Sequence, residues 1–328
     1  MAHADSQRKT NAILRILDEA GRPLGSTKIA ERLRSLGIDL EQRMVRNYLD
    51  AMDAAGLTLN LGRRGRDMTE EGRRELEASR VFEKVGFIDA RADELAYNTT
   101  LDLTRQRGTV ILNVSTIPAA HLDDARRTMG TAILARLGMG HMGLITRTGQ
   151  DHGVPGLVIT AGKVAIGTVC SITLNGLLRA EGIPTISRFG GLLEIRDGRP
   201  RRFTHIIQYS GTTLDPIEVF IKARMTSVLE ASQTGNGVVG ASFREVPAIA
   251  LPRVREVIKQ MDEAGMGGLI VVGEPSRPLL EIPVDPSRAG IIVAAGLNLL
   301  AAVEEAGVPT ENRAMARLCD FSHLEPLV

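Results

Sequence analysis

The chain has 328 residues, 43% of them hydrophobic, so two or three packed domains are within reach, and a formal charge of +1 excludes a polybasic nucleic-acid coat. Two cysteines, Cys170 and Cys319, outside any CxxC pair, exclude a disulfide framework and suit a reducing compartment. The N-terminus is polar, and no apolar run reaches the ~20 residues a bilayer span needs; the nearest, residues 289–303, is interrupted by Asn298. The expectation is a soluble, cytoplasmic protein with no membrane partner.

Residues 10–20 repeat Ile13, Leu14 and Leu17 at helical spacing. Ser26 and Thr27 open a second helix, residues 28–35, with Ile29, Ala30 and Leu33 on one face and Gly37 to end it. A third helix, residues 40–55, turns Met44, Val45, Tyr48, Leu49 and Met52 inward and Gln42, Arg43, Arg46 and Asn47 outward. Residues 57–61 alternate like a strand, and Gly62-Arg63-Arg64-Gly65-Arg66 makes a basic turn. Helix, helix, helix, strand and basic loop is the order of a winged helix-turn-helix, whose third helix lies in the major groove of DNA. Residues 1–80 hold 15 Lys and Arg against 13 Asp and Glu, so placement of the arginines, not domain charge, carries this reading. Some winged helices bind only protein, and that alternative stays open. The DNA-binding domain is assigned to residues 1–78, and residues 69–84 are read as a charged helix leading out of it.

The remainder, residues 79–328, is Gly-, Val- and Ile-rich and contains an echo. Gly143-Leu144-Ile145 recurs as Gly268-Leu269-Ile270, and Gly182-Ile183-Pro184-Thr185 as Gly307-Val308-Pro309-Thr310, both 125 residues on. Gly138-Met139-Gly140 answers Gly265-Met266-Gly267 with a two-residue slip. The repeats span about 108–185 and 237–310. In the first, strands are read at 109–115, 142–147 and 157–160 and helices at 121–137 and 164–181. In the second, strands fall at 237–242, 268–272 and 280–284 and helices at 252–264 and 289–306. Twin units of this kind predict an α/β or α+β regulatory domain with helices packed on a sheet. Residues 186–232 have no echo and read as an insertion: a hairpin at Asp197-Gly198, then a helix from Asp215-Pro216 to Glu230.

Thr168, Ser171 and Asn175 fall at i, i+3 and i+7 of the predicted helix 164–181, where the second copy has Val293, Gly296 and Leu300. Small hydrogen-bonding side chains in a helix interior suggest a ligand face, though a satisfied interface contact is the plainer reading. Arg188, beside Phe189-Gly190-Gly191, can fork onto an anion. Tyr209, Ser210 and Thr212 surround Gly211 just before the helix start at Asp215, which suits an anionic group. No GxSxG elbow, Walker loop or HExxH appears, and His141 and His152 lack a ligand cluster. No catalytic residue, metal site or cofactor is therefore assigned, and Cys170 reads as a small core residue.

The stretches Ala165-Ile-Gly-Thr-Val-Cys-Ser-Ile-Thr-Leu-Asn-Gly-Leu-Leu178, Ser187-Arg-Phe-Gly-Gly-Leu-Leu-Glu-Ile-Arg-Asp-Gly198 and Tyr209-Ser-Gly-Thr-Thr-Leu-Asp-Pro216 resemble the NrpR family of archaeal nitrogen-control repressors. The resemblance covers nearly the whole chain. It implies repression by operator binding as a dimer and release by a small-molecule effector, 2-oxoglutarate in archaeal members; a homodimer has two-fold symmetry, so the double-stranded operator is expected to be palindromic. This chain carries one regulatory domain where some members have two. An enzyme or an interaction scaffold with an accessory winged helix is the alternative.

Overall fold

The computed structural model describes residues 2–35, 38–79, 87–147 and 159–328. They divide into two compact units, Met1–Lys84 and Val85–Val328.

In the first unit, α1 (Ala2–Ala20), α2 (Ser26–Ser35) and α3 (Gln42–Ala54) precede the hairpin β1 (Thr58–Asn60) and β2 (Arg66–Met68), and α4 (Glu70–Ser79) follows. The helices meet over Ile13, Leu14, Leu17, Ile29, Leu33, Val45, Leu49 and Met52, all buried. The expected apolar faces therefore form the core, except that Met44 is exposed and Tyr48 only partly buried. Helix α1 begins earlier than predicted, and β1 alternates in the opposite sense. Thr58 is buried, its hydroxyl donating to Asp53 at 2.6 Å, while Leu59 faces out. Leu24 exchanges backbone hydrogen bonds with Arg66. Gly65 permits that approach: its φ is +99°, and a Cβ there would lie 2.3 Å from the Leu24 carbonyl. Gly37 and the expected helix end at 80–84 lie outside the described residues.

The second unit opens with α5 (Phe87–Tyr97), which the sequence reading did not anticipate. The first copy then runs β3 (Thr109–Pro118), α6 (Leu122–Leu134), β4 (Met142–Arg147), β5 (Lys163–Val169), α7 (Thr173–Ala180) and β6 (Ile186–Arg196). An insertion follows: β7 (Arg199–Gln208), α8 (Pro216–Lys222) and α9 (Val228–Thr234). The second copy repeats the pattern as β8 (Gly237–Pro247), α10 (Leu251–Glu263), β9 (Ile270–Val272), β10 (Arg288–Ala294), α11 (Asn298–Glu305) and β11 (Glu311–Asp320), and β12 (Glu325–Pro326) closes the chain. Among the described residues two five-stranded antiparallel sheets result, ordered β7-β6-β8-β10-β9 and β11-β3-β5-β4-β12. The class is α+β.

Each copy sends its last strand into the other copy's sheet: β6 pairs β8, and β11 pairs β3. Helices exchange as well, since α6 packs on α11 and α7 on α10. Two pseudo-equivalent cores follow, each built from one cross-copy helix pair and residues of both sheets.

Several expectations change. The predicted helices 164–181 and 289–306 are each a strand, a tight turn and a shorter helix. Residues Val164–Val169 and Ala289–Ala294 are buried on both faces, so their apolar run carries no period. β-Branched content there favours the strand. The strand expected at 280–284 is only an isolated Leu279–Ile282 bridge; of that expected at 157–160, residues 157–158 lie outside the described residues and 159–160 are not strand. The helix predicted to reach Glu230 breaks after Lys222 and resumes at Val228. Residues 186–196 are not insertion but the first copy's last strand, the counterpart of β11 in the second. The Gly-Leu-Ile echo is two residues out of sheet register, because Gly143 lies opposite Thr168 whereas Ile270 lies opposite Val293. The Asp197-Gly198 hairpin forms as read, with φ of +52° and +69°.

Equivalent side chains tie each copy's last helix to its first strand, and one of them also reaches across to the other copy. Thr173 Oγ1 sits on the Ile111 amide at 3.2 Å, and Asn298, 125 residues on, accepts from Gly240 N at 2.9 Å and donates to the carbonyls of Gly240 (2.8 Å) and Leu137 (2.7 Å). Asn298 is fully buried. Asn298→Ala should therefore destabilise this unit by about 3–5 kcal/mol, because buried backbone groups lose their partners. Calorimetry should show a melting temperature lower by on the order of 10 °C.

Candidate functional site

On the first unit, Gln42, Arg43, Arg46 and Asn47 are exposed on α3 as expected. Two are already engaged with the start of α2. Gln42 Nε2 donates to Thr27 Oγ1 at 2.6 Å, and Arg46 Nε to Ser26 Oγ at 3.3 Å. These bonds tie the outward face of α3 to the start of α2. Arg63 and Arg64 stand exposed in the turn between β1 and β2. Arg66 does not join them. It opens strand β2, and its guanidinium is pinned by Asp53 (3.1 Å) and Asp50 (2.5 Å) of α3 with 17% of its side chain exposed. The exposed arginines of α3 and the turn, for which no ion pair is found among the described residues, are therefore Arg43, Arg46, Arg63 and Arg64.

In the second unit the seven expected effector residues separate. Thr168 lies in β5, Ser171 in the turn and Asn175 in α7, so no helical face unites them. Asn113 Nδ2 approaches Thr168 Oγ1 at 3.4 Å, and Asn175 Nδ2 donates to Ser187 Oγ at 2.9 Å. Arg188 is half-exposed and occupied, with Nη1 3.3 Å from Asp285 and 3.5 Å from Glu245. Ser210 is exposed, and the Thr212 hydroxyl is used within its own turn by Leu214. Ser171 and Tyr209 do come together.

They line a small cavity of about 20 Å³ between the β5–α7 turn and its counterpart, the β10–α11 turn, with Asn113, Asp215, Ser242 and Gly296. The two turns touch: a Cβ on Gly296 would lie 1.9 Å from the Val169 carbonyl oxygen. Ser242 leads to a residue the sequence reading missed. Arg244 is wholly buried, donating from Nη1 to the Ser171 carbonyl (2.7 Å) and from Nη2 to the hydroxyls of Ser171 (3.0 Å) and Ser242 (2.9 Å). Its Nε has no partner among the described residues, and burial pulls its pKa down. The available signal was an arginine in the apolar strand sequence Val238-Val-Gly-Ala-Ser-Phe-Arg-Glu-Val246.

A larger cavity of about 670 Å³ adjoins, sharing Asp215, Ala314 and Met315 and lined also by Arg91, Thr213, Glu218 and Arg313. Asp215 caps α8, accepting from the amides of Ile217 (2.8 Å) and Glu218 (3.2 Å). Burial, then the charge of Glu218, pushes its pKa up to about 6. Burial also raises the Cys170 thiol to about 12, which keeps it protonated and unreactive.

An acid whose folded pKa is raised stabilises the fold fully below its unfolded pKa and loses that contribution as pH climbs through the folded value. Asp215 should thus cost the second unit up to about 3 kcal/mol between pH 4 and 6, at 1.36 kcal/mol per unit. Asp215→Asn retains a capping oxygen. Denaturation from pH 4 to 8 should show the variant gaining on wild type over that interval; parallel stabilities would refute the buried charge.

Comparisons with known proteins agree with this architecture. The family model for NrpR regulatory domains NRD1 and 2 matches residues 85–326, and that for the ribonuclease R winged-helix domain matches residues 11–76. The global nitrogen regulator NrpRI of Methanosarcina mazei is 31% identical over 98% of both chains. Global nitrogen regulator NrpR of Methanococcus maripaludis is 27% identical over 95% of this chain, which spans about half (54%) of that relative's length. A solved nitrogen repressor-like protein from Methanococcus jannaschii superposes with a TM-score of 0.61 at 28% identity, covering 73% of this chain and 97% of its own. With its regulatory-domain match across 242 residues behind a winged helix, the chain belongs to the NrpR family.

Proposed function

We propose that the chain is a transcriptional repressor of the nitrogen-regulation type, acting in the cytoplasm as a homodimer on a palindromic operator and released by a small anionic metabolite such as 2-oxoglutarate. Its relatives are named as regulators, and the chain is not an enzyme. The carrying observation is the exposed face of α3 with Arg43, Arg46 and Asn47, beside the uncommitted wing residues Arg63 and Arg64. Side chains of α3 reach base edges, and wing arginines neutralise phosphates. The internal pairing of Arg66 favours the rival reading of a protein-binding winged helix, but it removes only one cation of five.

A single winged helix reads too few base pairs for a rare operator, and a two-fold pair reads half-sites about 10 bp, or a multiple of that, apart. The β6–β7 hairpin and α8 supply the surface for pairing in this proposal, since β7 is a sheet edge exposed along most of its length. Its charged residues Arg199, Arg201 and Arg202 guard it against indiscriminate strand addition.

Operator titrations across salt concentration test the reading. Arg43→Ala should cost about 1–3 kcal/mol of operator affinity if it reads a base. The Arg63→Ala/Arg64→Ala pair should weaken all DNA alike and flatten the log–log salt slope by about 1.8. An unchanged slope would take the wing out of the interface, and a monomer by light scattering at micromolar concentration would remove the dimer.

A further inference from the structure

We infer that Asp53 and Arg66 are positioning residues for DNA recognition: their ion pair sets the wing against α3, so that Arg63 and Arg64 meet phosphates while α3 lies in the groove. This rests on the DNA-binding reading above and names the device that holds its two contacting elements together.

The wing cannot hold a direction by itself. Strands β1 and β2 have three residues each and pair over three rungs, Thr58 with Met68, Leu59 with Asp67 and Asn60 with Arg66. A two-stranded sheet so short is marginally stable alone. The turn it carries is tight, with the Gly62 amide donating to the Asn60 side chain at 2.9 Å and the Leu61 amide to the Gly65 carbonyl at 2.8 Å. Only Gly65 separates Arg64 from Arg66. Whatever fixes Arg66 therefore fixes the wing cations within the reach of two or three residues of chain.

Arg66 is fixed from two sides. Its amide donates to the Leu24 carbonyl at 2.9 Å, and its carbonyl accepts from the Leu24 amide at 3.0 Å. Its guanidinium crosses to α3, from Nε to Asp53 Oδ2 at 3.1 Å and from Nη2 to Asp50 Oδ1 at 2.5 Å. Asp53 is held in turn, because its Oδ1 accepts from the buried hydroxyl of Thr58 at 2.6 Å. One carboxylate thus joins α3, β1 and β2. The side chains of Arg66 and Asp53 are 17% and 22% exposed, so water and salt compete for this pair less than for a surface pair; Asp50, at 65%, adds little.

The same flank of α3 is tied along its length. Gln42, Arg46, Asp50 and Asp53 follow at i, i+4, i+8 and i+11, and the first two hold Thr27 and Ser26 at the start of α2. Arg43 and Asn47 lie off that flank and keep a fixed direction toward the bases. Charge alone opposes the arrangement. Two carboxylates beside a surface that meets phosphates reduce affinity by repulsion. Their loss should therefore strengthen DNA binding if they act only as charges, and weaken it if they hold the wing.

Anisotropy titration of the full chain with a duplex enriched by wild type from a randomised library tests that sign in a double-mutant cycle. Asp53→Asn keeps an acceptor for Thr58 and removes the charge that holds Arg66. It should weaken binding about fivefold in the wild-type background, within the coupling expected inside one network. Once Arg63→Ala/Arg64→Ala has removed the wing cations, Asp53→Asn should no longer weaken binding. Thr58→Val, which frees the same carboxylate, should follow the same pattern. Tighter binding by Asp53→Asn in the wild-type background would leave the carboxylate a mere repelling charge, and equal weakening in both backgrounds would reduce it to a general support of the fold; either result overturns the positioning role. Should Asp53→Asn fail to fold, an unweakened Thr58→Val would overturn it instead. A wild type that enriches no duplex removes the DNA-binding reading itself, and the wing tie with it, so the two failures are told apart.

Discussion

The regulatory unit depends on the pairing of each copy's last strand with the other copy's first. Without β11, strand β3 would be an open edge, and without β6 so would β8. Both are long strands with nearly continuous burial, Val110–Ser115 and Val239–Val246. An unpaired, apolar edge of that length is both unsatisfied and prone to aggregate. Neither copy can therefore close its own sheet, and the two must fold as one body. The helix pairs α6–α11 and α7–α10 follow from this, because each exchanged strand carries its preceding helix across. So does the meeting of the two β–α turns, with Gly296 against the Val169 carbonyl.

On that symmetric scaffold the side chains have diverged, and divergence makes the chemistry. In one sheet Lys163 reaches Glu311 at 2.5 Å. In the other, the positions equivalent by register hold Arg288 and Ile186, and the carboxylate has moved to Glu245, opposite Ile186. Glu245 is wholly buried with Arg188 near it, while Lys163 and Glu311 form a partly exposed pair of the kind that contributes little. The same displacement sets Arg244 against Ser115. Backbone equivalence with charge inequivalence converts a duplicated fold into a unit with one distinctive interior.

Much of the first unit was legible in the sequence, because its helices are half-buried and half-wet and their period is visible. Ile13, Leu14, Leu17, Ile29 and Leu33 are core for that reason. The Asp197-Gly198 turn and the Asp215-Pro216 helix start were legible through local backbone chemistry. Residues 164–181 were not, since a segment buried on every side has no polar face to reveal its period. Strand exchange was illegible in principle: the 125-residue offset reports equivalence and says nothing about which copy's strand lies beside which. The candidate site suffered most. Thr168, Ser171 and Asn175 share a helical spacing that strand β5 does not have, and Arg244 gives no local signal because two of its three hydrogen bonds go to Ser171, 73 residues away.

Arg188 shows how one residue of register decides a role. Strands β6 and β8 pair regularly from Ile195 to Phe189, and Phe189 lies opposite Phe243. The next rung sets Ser187 opposite Arg244, so Arg188 is an extra residue, a bulge in the exchanged strand. Since alternate side chains point to opposite faces, the bulge releases Arg188 from the alternation and lets it swing to Asp285 at 3.3 Å, at the surface. Strand β11 is irregular at the corresponding place, between Arg313 and Arg317, where Met315 takes a φ of +45° and its amide donates to Asn113 in the cavity wall at 3.1 Å. Both exchanged strands thus bend where they pass from one copy to the other. In the first the bend carries an arginine outward; in the second it forms the partition between the two cavities. Arg244, on the regular strand β8, stays in the alternation and is held inside.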